Sequence, residues 1–303
     1  MILAVGSINV DYIIHSKRMP YDGETMYGKS VTIMAGGKAA NQIAAASRLG
    51  AHGVLLSKMG GLDGYNDDVL KDLNWAKVDT QYIEIEKDTY SGSGYIMVNE
   101  SSDNRIIIIE GANAAVTCEY VEKNLAVLEK ASLCMTEFMI PMDTCEYLVA
   151  QTKKMGIPII VNPSPTRPIP EEMYNGIHLL IPNEHEAEEL TGIKVETEKD
   201  ALECSKLFHS KGVKNVIITL GKRGAFVSDG FSSEIMPAYK VAALDTSGAG
   251  DSFNGGVAYA LSKGKSIFEA ARFGNAVASQ SVQRTGTMRS MPTLKEVEAV
   301  YHL

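Results

Sequence analysis

The sequence is poor in the residues that build metal ribbons, disulfide frameworks and membrane spans. Its cysteines are four, Cys118, Cys134, Cys145 and Cys204, and no two are spaced as CxxC. Neither a zinc ribbon nor a thioredoxin-like motif is therefore readable. The six histidines include no HExxH and no HxxxH pair. The longest aliphatic run, residues 106–109, falls far short of the roughly 20 residues that a membrane helix requires. Positive charge is also short. Lys and Arg total 29 against 37 Asp and Glu, for a net charge of −8. A nucleic-acid binder normally carries a basic surface, so neither a nucleic acid nor a membrane is an expected partner. Met1 leads straight into Ile2-Leu3-Ala4-Val5 with no basic region before a long apolar core. A secretory signal is not expected, and the cytoplasm is the expected compartment. The sequon Asn99-Glu100-Ser101 then reads as chance. No GxxxxGK[ST] loop occurs, which excludes a Walker-type phosphate site.

What remains is an ordinary globular composition, 45% hydrophobic and 22% charged over 303 residues. It predicts one large α/β domain, with a small appendage at most. Apolar β-type runs are expected over 2–7, 54–58, 132–136, 157–161, 179–182, 215–220, 225–228 and 233–236. Helices are expected over 41–49, 66–75, 143–155, from 183 onward, and over 197–211, 250–262, 267–283 and 294–301. Strands alternating with helices predict a mainly parallel sheet with helices on both faces. Residues 12–34 and 82–109 break that rhythm, with β patterning and no helices between. They predict a small β lid built from two distant pieces, including a hairpin that turns over 99–104.

Five segments carry chemistry. The strongest is Asp245-Thr246-Ser247-Gly248-Ala249-Gly250-Asp251-Ser252-Phe253, which opens a helix. Gly248, Ala249 and Gly250 allow close approach of a ligand, and a helix N-terminus offers unpaired N–H groups to an anion. Asp251 there could accept a hydroxyl proton while those amides hold a phosphoryl group. A plain glycine turn explains the same residues when they are read alone. In Gly36-Gly37-Lys38-Ala39-Ala40-Asn41-Gln42, Lys38 could neutralise phosphate and Asn41 could bond a sugar hydroxyl; a loop before a core helix is the bland alternative. Asn9 and Asp11 follow the first strand on alternate positions, and together they suit paired hydroxyls. An ordinary Asx strand exit would look the same. Asn183 and Glu186 offer oxygens suited to Mg²⁺, although acidic residues opening a helix also satisfy its dipole. Thr219 and Gly221 sit at a strand exit that could border a nucleotide.

Taken in order, these segments resemble the ribokinase branch of the phosphofructokinase-B sugar kinase family. The resemblance also rests on GANAAV at 111–116 and VNPSP at 161–165, and it covers essentially the whole chain. It implies a Rossmann-type α/β fold with a β-sheet lid that often pairs into a homodimer. It implies ATP, Mg²⁺ and a sugar as ligands, with ribose first and a nucleoside or deoxyribose next. Asp251 matches the catalytic base, and Gly248, Ala249 and Gly250 the anion hole. Asn9, Asp11, Gly37, Lys38 and Asn41 match sugar contacts. Asn183 and Glu186 match the Mg²⁺ and phosphate motif, and Thr219, Gly221, Gly250 and Asn275 match nucleotide contacts. Asp245, Ser247, Ser281, Arg284, Gly286 and Ser290 match a K⁺ loop that would orient the anion hole. A non-catalytic sensor of the same fold would have no need of Asp251.

One position departs from that branch. A carboxylate expected two residues before Pro141 is replaced by Met139, with Glu137 two residues earlier. Either Glu137 substitutes through a local shift, or one sugar contact is missing. Loss of that hydrogen bond would disfavour the hydroxyl it held by roughly 1–3 kcal/mol and favour a deoxysugar or nucleoside.

Overall fold

The computed structural model describes residues 1–101 and 104–301. The first apolar run forms β1 (Ile2–Val5), and all four of its side chains are buried. Ile2 and Ala4 join one apolar cluster, Leu3 and Val5 another. Burial on both faces explains why the strand is continuously apolar rather than alternating. The remaining strands are β2 (Asn9–His15), β3 (Ser30–Gly36), β4 (Gly53–Gly60), β5 (Ile83–Glu86), β6 (Gly92–Val98), β7 (Asn104–Ile109), β8 (Leu133–Glu137), β9 (Ile159–Asn162), β10 (Leu179–Leu180), β11 (Asn215–Thr219), β12 (Ala225–Ser228) and β13 (Ser233–Met236).

Among the described residues, nine strands make the main sheet, in the order β13-β12-β11-β10-β9-β8-β1-β4-β5. It is parallel from β5 to β11, and β12 and β13 add antiparallel strands at one edge. Helices Lys38–Arg48, Ala249–Ser262 and Ile267–Ser281 cover the face of Ile2 and Ala4. Helices Met142–Met155 and Glu198–Ser210 cover the opposite face. The expected mostly parallel, two-faced α/β sheet is the observed one.

The other sheet has the order β3-β2-β6-β7. Its central pair, β2 and β6, is parallel, and its outer pairs are antiparallel. This is the lid-like sheet, and its two halves come from segments far apart in the chain. Residues 83–86 are a correction to its expected extent. They lie within the 82–109 stretch, yet β5 pairs with β4 at the edge of the main sheet. Of the turn expected over 99–104, residues 102 and 103 lie outside the described residues.

Register prepares the site. Asn9 stands opposite Gly36 and Gly92, and Asp11 opposite Met34 and Gly94. The Asp11 carboxylate occupies the space a Cβ on Gly36 would need. Helix Lys38–Arg48 starts three residues before its expected position because Gly37, at φ 92°, turns the chain out of β3. A Cβ at Gly37 would lie 2.7 Å from the Ser7 carbonyl oxygen, so both conformation and space call for glycine.

Candidate active site

The carboxyl ends of β1, β8, β9 and β10 deliver polar loops to one place, where ligands of parallel α/β sheets collect. Asp251 occupies the first turn of helix Ala249–Ser262. Its Oδ2 accepts a hydrogen bond from Asn41 Nδ2 at 3.0 Å, and its Oδ1 one from Gln42 Nε2 at 3.2 Å. Burial pushes its pKa up, while Lys38 and the two amide donors pull it down. The N–H groups of Gly248, Gly250 and Asp251 have no acceptor among the described residues, whereas that of Ala249 donates to the Thr246 carbonyl at 3.2 Å. The space before Gly250 is open: an added Cβ would meet nothing within 4 Å.

Asn9, Asp11, Gly37, Lys38 and Asn41 gather beside Asp251. Asp11 Oδ1 accepts from the Gly94 amide at 2.9 Å and from Asn9 Nδ2 at 3.4 Å. Burial raises its pKa to about 6, and Asp251 adds to the rise. Asn9 Oδ1 accepts from Asn113 Nδ2 at 2.9 Å, and Asn113 Oδ1 accepts from the Ile8 amide at 3.0 Å. Lys38 makes no ion pair within 4 Å among the described residues. Its charge nonetheless lowers the pKa of four acids around it, Asp11, Glu137, Glu186 and Asp251. Asn41 Oδ1 is buried and has no hydrogen-bond partner among the described residues.

Glu137 lies beneath this cluster. It has no exposed surface. Its Oε1 accepts from the Ser7 amide at 2.7 Å and its Oε2 from the Met139 amide at 2.8 Å. Both oxygens thus brace the loops after β1 and β8. Met139 is buried as well, with its sulfur accepting from Ser7 Oγ at 3.6 Å.

On the other side of Gly250 runs a cleft of about 580 Å³, lined by Thr219, Gly221, Gly250 and Asn275 among others. Asn275 also donates to the Met236 carbonyl at 2.9 Å, which holds one wall in place. Asn183 is not among the lining residues. It bridges to Thr219 and caps helix Glu184–Thr191. Asn183 Oδ1 accepts from the Glu186 amide and Glu186 Oε2 from the Asn183 amide, each at 2.8 Å. Glu186 is buried, and burial pushes its pKa up.

The residues matched to a K⁺ loop come together in two adjoining segments. Asp245 accepts from the amides of Ser247 at 2.9 Å and Gly286 at 2.8 Å. Ser281 and Ser290 share a hydroxyl bond of 2.8 Å. The Arg284 side chain turns away to Glu296 at 2.7 Å.

Sequence reading missed Gln42, Asn113 and Asn162. Gln42 Nε2 also donates to Asn162 Oδ1 at 3.0 Å, and Asn162 Nδ2 donates to the Ile181 carbonyl at 2.9 Å. The quoted segments contain all three, yet nothing local assigns them a role, because their partners lie far away in the chain. The cleft wall from Tyr239 to Ala243 was missed too, since it has neither regular structure nor a motif.

A carboxylate at an open helix N-terminus, with a polar cluster on one side and a cleft on the other, is an arrangement that suits transfer of a group between two ligands. Residues 1–294 match the pfkB family of carbohydrate kinases, and the chain belongs to that family. It is 38% identical over 297 residues to the ribokinase of Bacillus subtilis, covering 98% of both chains. It is 33% identical over 296 residues to the deoxyribokinase of Salmonella typhi, covering 97% of this chain and 96% of that one. Its fold matches the Arabidopsis thaliana ribokinase complexed with ribose and ATP at a TM-score of 0.91 and 30% identity, covering 99% of this chain and 97% of that one.

Proposed function

We propose that this chain is an ATP-dependent ribokinase, transferring the γ-phosphoryl group of ATP to the 5-hydroxyl of D-ribose. The carrying observation is the unpaired, buried Asn41 Oδ1 beside Asp251. Leaving such an acceptor unpaired costs about 1–3 kcal/mol, and an entering sugar hydroxyl removes that cost. Asn9, Asp11, Lys38 and the backbone at Gly37 take the other hydroxyls. The nucleotide lies in the cleft, with Asn275 bordering the base and Thr219, Gly221 and Gly250 nearer the phosphates. Asp251 accepts the hydroxyl proton as the sugar oxygen bonds to the γ-phosphorus. The bond from that phosphorus to the β–γ bridging oxygen breaks, and ADP leaves. The helix N-terminal amides around Gly248 and Gly250, together with Lys38, stabilise the charge on the transferring group.

Asn183 and Glu186 would hold Mg²⁺, which neutralises phosphate charge when bound. The donor set fits, because Glu186 Oε1 stands outside the capping box and carboxylate oxygen suits this ion. K⁺ would be held by the segments of Asp245, Ser247, Ser281, Arg284, Gly286 and Ser290. Their side chains are largely engaged with one another or turned away, which leaves carbonyl oxygens as its ligands. The partner is a second copy of the chain, lid to lid. Val31, Ile33, Ile107 and Ile109 expose apolar surface on one face of the lid sheet, and Ile106 and Ile108 on the other, surface that a partner lid would cover. The cytoplasm remains the proposed compartment.

Deoxyribose is the second reading. Each Glu137 oxygen already accepts a backbone amide and Met139 is a thioether, which supports the reading that one sugar contact of the ribokinase branch is missing. The deciding experiment compares ATP-dependent phosphorylation of D-ribose, 2-deoxyribose, fructose and nucleosides with Mg²⁺ and K⁺ present. Highest kcat/KM with D-ribose supports the proposal. A clear preference for 2-deoxyribose or a nucleoside overturns the substrate and keeps the chemistry.

A further inference from the structure

Thr287 lies between the two halves of this site, and nothing in the reaction scheme uses it. Its Oγ1 donates to the Ala35 carbonyl at 3.2 Å. Ala35 is the penultimate residue of lid strand β3, two residues before Gly37 and three before Lys38. The same hydroxyl lies 3.8 Å from the sulfur of Met34, which pairs with Asp11 across the lid. On its other side Thr287 packs against the anion-binding turn. A Cβ on Gly248, at φ 72°, would stand 3.3 Å from Thr287 Cα.

The backbone of Thr287 is tied to the same helix. Its neighbour Gly286 donates to Asp245 Oδ2 at 2.8 Å. Its carbonyl accepts from Ser290 Oγ at 2.7 Å. Ser290 is bonded to Ser281 at 2.8 Å, and Ser281 accepts from Ser252 Oγ at 3.0 Å. Ser252 follows Asp251 in the chain. One threonine thus connects the lid strand that leads into the sugar-facing residues with the helix turn that faces the phosphates.

We propose that Thr287 is a positioning residue that couples lid closure over the sugar to the placement of the phosphoryl-holding turn, making sugar and nucleotide binding mutually reinforcing. The proposal rests on the kinase reading for the identity of the two ligands. Its physical content is one hydrogen bond that survives only when lid and turn are both in register. A shift of β3 on sugar binding moves Ala35, and Thr287 carries that movement to Gly248. By reciprocity, a nucleotide that settles the turn tightens the sugar site by the same factor.

The test is calorimetric. The affinity of the full-length protein for a non-hydrolysable ATP analogue is measured with and without saturating D-ribose, in a buffer containing Mg²⁺ and K⁺. D-ribose should tighten analogue binding in the wild type. Thr287→Val, close in shape but lacking the hydroxyl, should lose about fivefold of that tightening while each ligand alone binds nearly as before. Thr287→Ser should restore it. Thr287→Ala repeats the hydroxyl deletion without added bulk, should valine disturb folding. Absence of tightening in the wild type, or equal tightening in all four proteins, overturns the proposal. Weaker binding of each ligand alone with unchanged tightening also overturns it, since that marks a merely structural threonine. Failure to phosphorylate any sugar is a separate readout and bears on the kinase reading alone.

Discussion

Asp11 and Asp251 face the same cation, Lys38, from different elements, and their environments set how the site responds to pH. Burial raises the Asp11 pKa from 3.8 in the unfolded chain to about 6. The folded protein therefore holds this proton more tightly than the unfolded chain. That contribution to stability is fully present below pH 3.8 and is lost as pH rises through about 6. Two outcomes follow at this scale. D-ribose affinity should fall as pH drops through about 6, because protonation removes an acceptor, and isothermal titration across pH 5–8 reads this directly. Asp11→Asn should bind ribose poorly at every pH yet be more stable than wild type at pH 8, by about 1–2 kcal/mol in denaturant unfolding. An Asp11→Asn protein less stable than wild type at pH 8 would contradict the assigned burial cost. Asp251, Lys38 and Asn41 stood out in the sequence because each follows a glycine pair or Gly-Ala-Gly run that opens a helix, and Asn9 and Asp11 because they are polar residues at alternate positions just after an apolar run. Asn113 was not, because its function is to bond Ile8 and Asn9 more than 100 residues away.

Among elements, the helices were read best where their ends carry their own signals. Helix Asn66–Trp75 falls on its expected bounds, and the starts of Glu198–Ser210, Ile267–Ser281 and Leu294–Val300 are fixed by capping boxes. Short helices such as Glu171–Tyr174 were not anticipated, since four residues are too few to show a period. Strand β5 was placed in the wrong sheet because alternation reveals a strand and not its partner. Its pairing with Ser57 to Gly60 is a tertiary decision. The capping box at Asn183 and Glu186 fixes the acidic helix start that the proposed Mg²⁺ site would use. Asn183→Ala should lower stability by about 1 kcal/mol in thermal or denaturant unfolding. It should also raise the Mg²⁺ concentration needed for half-maximal rate. A stability loss with unchanged Mg²⁺ dependence would reduce this motif to a helix cap.

On the scale of the whole molecule, the main sheet was legible because its central strands are apolar on both faces, whereas the lid was legible only as a break in the αβ rhythm. The lid's exposed isoleucines are the surface that the proposed lid-to-lid pairing would cover. Strand β7 lies at an open edge with Ile107 at 65% exposure, and a soluble protein rarely leaves such an edge bare. Light scattering should report a dimer, and Ile107→Lys should yield a folded monomer with weaker ribose binding. A monomeric wild type at every concentration would remove the lid-to-lid partner. The proposed two-sided site draws its sugar-facing residues from the lid and the first helix, and its nucleotide-facing residues from the end of β11, the turn after it and helices Ala249–Ser262 and Ile267–Ser281, with Asp251 between the two sets. The most direct test of that arrangement is the turnover of Asp251→Asn with ATP and D-ribose, alongside its affinity for a non-hydrolysable ATP analogue. Loss of kcat by about 10²–10⁴-fold with nearly unchanged analogue affinity is the predicted result. Turnover within a few-fold of wild type would contradict Asp251 as the base and, with it, the proposed reaction geometry.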